Sequence, residues 1–147
     1  RIINLARFAY RDPMISTTSA YAIRSATCIA RQKSPIAAKD IAEEMNVPVR
    51  YLQQVLRGLV KTGILSSSRG VGGGFSLKQP AEDITLVQIV SLFDDVERSV
   101  VCPFGDEDDC EVSGDCPIHE HWSQVVVPYK RLLGKTTLAD LTKTCPK

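Results

Sequence analysis

Cys102, Cys110 and Cys116 stand close together in this 147-residue chain, with His119 just beyond. The cysteines follow the pattern C-x7-C-x5-C, and His119 comes three residues after the last. Sulfur is a soft ligand, so thiolates on one segment can close around an iron–sulfur cluster. Gly105 and Gly114 give that segment the freedom to bend tightly. His119, or a group from a second subunit, is available as a fourth ligand. The same donors suit tetrahedral zinc, and a thiol switch without metal uses the same residues. Six acids lie among them, Asp106, Glu107, Asp108, Asp109, Glu111 and Asp115. Their charge raises cysteine pKa values and keeps the segment hydrated. His121, two residues past His119, reads as a surface residue.

A second constellation is built for recognition. Before Gly63, Leu52, Val55, Leu56, Leu59 and Val60 recur at steps of three and four, the apolar stripe of one helix. Arg50, Tyr51, Gln53, Gln54 and Arg57 take the other face. Arginine can pair with guanine, glutamine with adenine, and a tyrosine hydroxyl with phosphate.

The neighbouring elements would position that face. Ile41, Ala42 and Met45 mark a short helix with Glu43 and Glu44 on its wet side. Asn46, Val47 and Pro48 form a turn, with Pro48 expected in the first turn of the next helix. Gly63 is expected to end that helix as a left-handed cap. Ile64–Ser67 and Phe75–Leu77 read as two short strands joined by a glycine-rich loop carrying Arg69. Short helix, turn, second helix and hairpin make a winged helix-turn-helix. The fold class expected is therefore mainly α with a small β-wing, plus a long C-terminal dimerisation helix.

The run KDIAEEMNVPVRYLQQVLRGLVKTGILSSSRGVGGGFSL, followed by DITLVQIV, resembles the IscR/NsrR-type (Rrf-two) winged-helix transcriptional regulators. The RGxGGGF wing and the DITL that follows are the most specific marks, and the likeness spans Met14 to Lys143. The resemblance implies a homodimer on a double-stranded DNA operator. It puts Arg50, Tyr51, Gln53 and Gln54 in the major groove, Arg69 in a minor groove and Arg24 on the DNA backbone. It also implies that Cys102, Cys110 and Cys116, with His119, hold an iron–sulfur cluster. The first cysteine gap is longer here than in IscR members, which leaves the cluster type open between [2Fe–2S] and [4Fe–4S]. Many relatives carry an acid where this chain has Gln53, so the operator is not transferable.

The rest of the sequence bounds this reading. Charge is uneven: residues 1–75 hold 11 Lys/Arg against 4 Asp/Glu, and residues 76–147 hold 7 against 13. A basic half with the helix-turn-helix and an acidic half without it suit a DNA reader with a separate control part. Residues 1–13 read as an N-terminal extension and make a poor secretory signal. No run of 18 apolar residues occurs, so no membrane span is expected, and the location expected is cytoplasmic. The odd count of 5 cysteines argues against a disulfide framework. Cys28 reads as a small buried hydrophobe.

Ser16–Arg31 should be the first helix, capped by Ser16 or Thr17, with Ala20, Ile23, Ala26 or Thr27, and Ala30 inward. Ile84–Asp95 should be one helix with a Thr85/Gln88 capping box, burying Leu86, Ile89, Val90 and Phe93. After Pro117, a helix bears Trp122, Val125, Val126, Tyr129, Leu132 and Leu133 on one side, more than its own subunit needs. Pro128 should kink or divide it, Gly134 should end it, and Thr137 with Asp140 should cap a last helix. The organisation expected is 14–80 winged helix, 81–101 packing helix and lead-out, 102–119 sensor segment, and 120–147 dimerisation helix and tail. Cys116 and His119 could serve as nucleophile and base, but no oxyanion hole is evident and no enzyme is expected. A winged helix that contacts protein instead of DNA is the other alternative.

Overall fold

The computed structural model describes residues 14–99 and 117–144. The extension 1–13, the cysteines Cys102, Cys110, Cys116 and Cys145, and the end of the lead-out lie outside the described residues. In chain order the elements are α1 (Thr17–Ala30), α2 (Ala38–Met45), α3 (Val49–Lys61), β1 (Leu65–Ser68), β2 (Gly74–Leu77), a 3-10 turn (Ala81–Asp83), α4 (Leu86–Val90), α5 (Val96–Ser99), α6 (His119–Lys135) and α7 (Leu138–Thr144).

The helix-turn-helix forms as its residues dictate. Ile41, Ala42 and Met45 of α2 are buried, as are Leu52, Val55, Leu56 and Leu59 of α3. Burying each such leucine contributes roughly 1.5–3 kcal/mol. Asn46 closes α2 in the left-handed conformation at φ 52°, which a short polar side chain tolerates. Pro48 stands at the N-cap of α3, one place earlier than expected. At the other end Gly63 has φ 79°. Its N–H reaches the Val60 carbonyl and the Ile64 N–H reaches Leu59, at 3.0 and 3.1 Å, the paired bonds of a Schellman motif.

The two strands pair antiparallel, Leu65 opposite Leu77 and Ser68 opposite Gly74. Ile36 adds a single bridge outside β2, exchanging bonds of 3.0 and 2.8 Å with Phe75. The wing is thus tied to the chain between α1 and α2.

The main core joins α1, α2 and α3 to Ile64, Leu65, Ile84, Ile89 and Leu138. A smaller cluster gathers Leu86, Val90, Val96 and Leu133, with Ile15 and Tyr129 against it. Two chain reversals are pinned together: Thr85 and Thr137 bridge, Leu138 N–H donates to Ile84 O and Leu86 N–H to Thr136 O, each at 2.9 Å. The capping box is present, with Gln88 Oε1 accepting from Thr85 N–H at 3.1 Å. Asp140 likewise accepts from Thr137 N–H at 3.0 Å and caps α7.

Four expectations need correction. Ile84–Asp95 is not one helix: α4 begins only at Leu86, because Ile84 is held extended by Leu138, and ends at Val90, where the chain tightens into turns. The inward face of α1 is Ser19, Ala22, Ser25, Ala26 and Ile29 with Thr27 and Cys28, while Ala20, Ile23 and Ala30 are only half-buried. The reason is that α1 is central, with α3, α4, α7 and β2 packed around it. Of the kink or division expected at Pro128, the division does not occur, and α6 runs on through Pro128. Pro128 and Gln124 are both exposed, so water can take the carbonyl that proline leaves unbonded. Nor does Gly134 end α6, whose limit is Thr136, drawn into extended pairing beside Thr85.

Candidate nucleic-acid interface

With its apolar back sealed in the core, α3 turns Arg50, Gln54 and Arg57 to solvent. Gln53 and Tyr51 flank them half-buried. Arg50, Arg57 and Arg69 make no ion pair among the described residues, so their charge is available to a ligand. Long guanidinium and amide side chains on a rigid helix can enter a major groove and bond base edges.

Tyr51 is held from behind. Its hydroxyl lies 2.9 Å from Thr18 Oγ1 on α1. The Tyr21 ring meets it edge-on, with centroids 5.7 Å apart and planes at 80°, a favoured aromatic geometry. Arg24 lies over Tyr21, its guanidinium carbon 6.0 Å from the ring centroid. This cation–π contact carries the charge of α1 to the side of the α3 front. Thr18, Tyr21 and Arg24 recur every three residues on α1, a polar and aromatic spacing that marks a second face. Reading for apolar stripes alone misses Thr18 and Tyr21.

The wing presents Arg69 in the open. Its turn closes with Gly73 N–H on Gly70 O at 3.0 Å. Gly74 lets the wing lie close to the body: a Cβ there would sit 2.5 Å from the Ile36 carbonyl oxygen.

The first turn of α1 has its own anchor. Ser16 N–H donates to Asp94 Oδ2 at 2.8 Å, Ser16 Oγ accepts from Ser19 N–H at 3.1 Å, and Ser19 Oγ donates to Val90 O at 3.4 Å. Burial opposes charge on Asp94, but hydrogen bonds from Ser16 and Ser19 outweigh it and hold the carboxyl below its ordinary range. Sequence reading assigned Asp94 no role.

His119 opens α6, and the three cysteines expected to act with it lie outside the described residues. Among the described residues no group of three or more His, Cys, Asp or Glu could hold a metal ion. Cys28 is buried and donates to Glu44 Oε2 at 3.2 Å. Burial first, then Glu44, push its thiol up to about 12, so it stays a protonated core residue. His121 is exposed. On α6, Leu133 is fully buried, whereas Val125, Val127 and Leu132 are about half exposed at 50, 53 and 54%. No helix among the described residues is long and apolar enough to cross a membrane.

This geometry has parallels among known proteins. Residues 15–144 match the Rrf2 family, described as iron-dependent transcriptional regulators. The chain is similar to protein rrf2 of Nitratidesulfovibrio vulgaris, at 34% identity over 140 residues, 90% of this chain and 91% of the relative. It is also similar to the HTH-type transcriptional regulator IscR of Vibrio atlanticus, at 29% over 131 residues, 88% of this chain and 75% of the relative. The structure resembles that of CymR, the global cysteine regulator of B. subtilis, with TM-score 0.70 and 27% identity over 90% of this chain and 98% of that one. The family and the matched IscR and CymR are regulators, not enzymes, and the structural likeness to CymR covers the helical body with its two-stranded wing.

Proposed function

Because the chain belongs to the Rrf2 family of DNA-binding transcriptional regulators, we propose that it acts as a homodimer whose operator binding is tuned at its cysteine segment. The α3 front carries this reading: a helix with a dry back and Arg50, Gln54 and Arg57 in solvent. Arg50, Gln53 and Gln54 enter a major groove, with Tyr51 and Arg57 at its edges. Arg69 enters the adjacent minor groove, and Arg24 bonds a phosphate. The half-exposed Val125 and Leu132 lie on one side of α6 and meet their counterparts across a two-fold axis. Two copies of α3 then face half-sites about one or two helical turns apart.

Cys102, Cys110 and Cys116 with His119 supply three thiolates and an imidazole, a donor set that fits an iron–sulfur cluster. When bound, such a cluster supplies redox sensitivity. Bound in this way, the thiolates would hold the segment that leads into α6, and α6 would set the separation of the two α3 helices. A change in how that segment is held alters the fit to the operator. The family's description as iron-dependent favours a cluster over zinc. The likeness to Staphylococcus aureus CymR, solved in an oxidized form, supports the thiol switch as the second reading.

Oxygen-protected purification tests the proposal. The expected protein is coloured, contains iron and sulfide, and changes its affinity for operator duplex when a chelator strips the iron. Iron-free, colourless protein with the same operator affinity before and after thiol oxidation contradicts it.

A further inference from the structure

The contacts around the first turn of α1 join two parts of the molecule. On one side, Asp94 Oδ2 takes the Ser16 N–H at 2.8 Å, and Val90 O takes the Ser19 hydroxyl at 3.4 Å. Asp94 lies just before α5, the last described element ahead of the cysteine segment. Lys130 of α6 pairs with Glu97 of α5, and Tyr129 of α6 donates its hydroxyl to Met14 O, just before α1. On the other side, Thr18 Oγ1 meets the Tyr51 hydroxyl of α3 at 2.9 Å, and Tyr21 packs on the same ring.

Ser16, Thr18 and Ser19 belong to a single helical turn, so they cannot move independently. Holding Ser16 fixes Thr18, and Thr18 fixes a side chain in the first turn of α3. Arg50 is next to Tyr51 in sequence, and Gln54 lies one helical turn along from Arg50. A small tilt of α3 would carry both away from base edges, whereas phosphate contacts tolerate such a shift because charge attraction is not directional.

We infer that Asp94 and Thr18 are positioning residues for sequence reading: Asp94 clamps the first turn of α1, and Thr18 passes that constraint to Tyr51 and the pitch of the recognition helix. The inference rests on the reading that α3 enters the groove. It holds whether or not the cysteine segment carries a cluster. It also gives the region around α5 and α6 a route of direct contacts to the recognition helix.

The test uses the full-length protein and two probes. One is a duplex enriched from a random-sequence pool by the unsubstituted protein; the other is an unselected duplex of equal length. The reading is the ratio of the two affinities. Asp94→Ala and Thr18→Val should each lower that ratio about tenfold, the scale of coupling through packed contacts, with little change on unselected DNA. Asp94→Asn keeps an acceptor for Ser16 and should restore most of the ratio.

A Thr18→Val/Tyr51→Phe double variant should fall no further than Tyr51→Phe alone, since Tyr51→Phe already removes the one contact that Thr18→Val breaks. Thermal unfolding of each protein identifies losses that come from misfolding. Should Asp94→Ala fail to fold, Thr18→Val and the double variant still decide. Unchanged ratios, or additive losses from Thr18→Val and Tyr51→Phe, overturn the inference. Arg50→Ala is the separate control. If it too binds the enriched duplex normally, the placement of α3 in the groove is what fails.

Discussion

At the scale of single residues, chemistry divides cleanly between held and free side chains. Cys28 is held: its thiol is buried and bonded to Glu44. Its pKa is raised from 9.0 to about 12. Between those values the unfolded chain loses the thiol proton while the folded chain keeps it. The folded state then binds more protons, so stability falls as pH rises. Below pH 9 both states keep the proton and the group adds no slope. Wild-type protein should therefore lose stability relative to Cys28→Ala as pH rises from 9 toward 12, seen in the melting temperatures of the two proteins. A difference in melting temperature that does not vary with pH over that window contradicts this.

The reading of Cys28 as a small core residue was available from sequence because apolar neighbours on α1 surround it. The burial of Ser19 and Ser25 was not. Serine looks polar in a sequence, but here Ser19 bonds the Val90 carbonyl and Ser25 the Tyr21 carbonyl. Satisfied in this way, a hydroxyl enters a core at little cost. Asp94 was hidden for a similar reason, since its partner Ser16 lies 78 positions away.

At the scale of elements, local signals were strong wherever the chain answers only to itself. The α3 stripe, the Gly63 cap, the Thr85/Gln88 box and the Thr137/Asp140 cap all form as their spacing implies. Spacing failed where distant segments impose a shape. The extended link at Ile84 is made by Leu138, and the end of α6 by pairing near Thr85. The wing shows the same dependence. Its glycines announce a loop, yet the requirement at Gly74 comes from Ile36, far upstream.

Gly74 has φ 157°, and a Cβ would stand 2.5 Å from a backbone oxygen that cannot swing aside. Gly74→Ala should break the Ile36–Phe75 bridge and displace the wing with Arg69. The expected loss is about 1–3 kcal/mol in urea unfolding, with weaker duplex binding. Unaltered stability and binding would show that the wing does not depend on this close approach.

At the scale of the whole molecule, the described residues assemble into a reader and a support. Helix α1 runs through the middle, touching the recognition helix on one side and α4 and α7 on others. The polar front of α3 and the wing are left outward, and so are Val125 and Leu132 on α6. The apolar stripe on α6 was visible in sequence, but its division was not. Leu133 is consumed by the chain's own second cluster, while Leu132 beside it stays exposed. Only three-dimensional packing separates the two.

The account stands on two copies of α3 entering major grooves. Methylation protection of guanine N7 on the enriched duplex examines this directly, because N7 faces the major groove. Two protected patches are expected, related by a two-fold axis and about one or two helical turns apart, and both should disappear with Arg50→Ala at protein concentrations that still bind DNA. Binding that leaves major-groove N7 fully reactive, or protection that survives Arg50→Ala unchanged, would contradict the account.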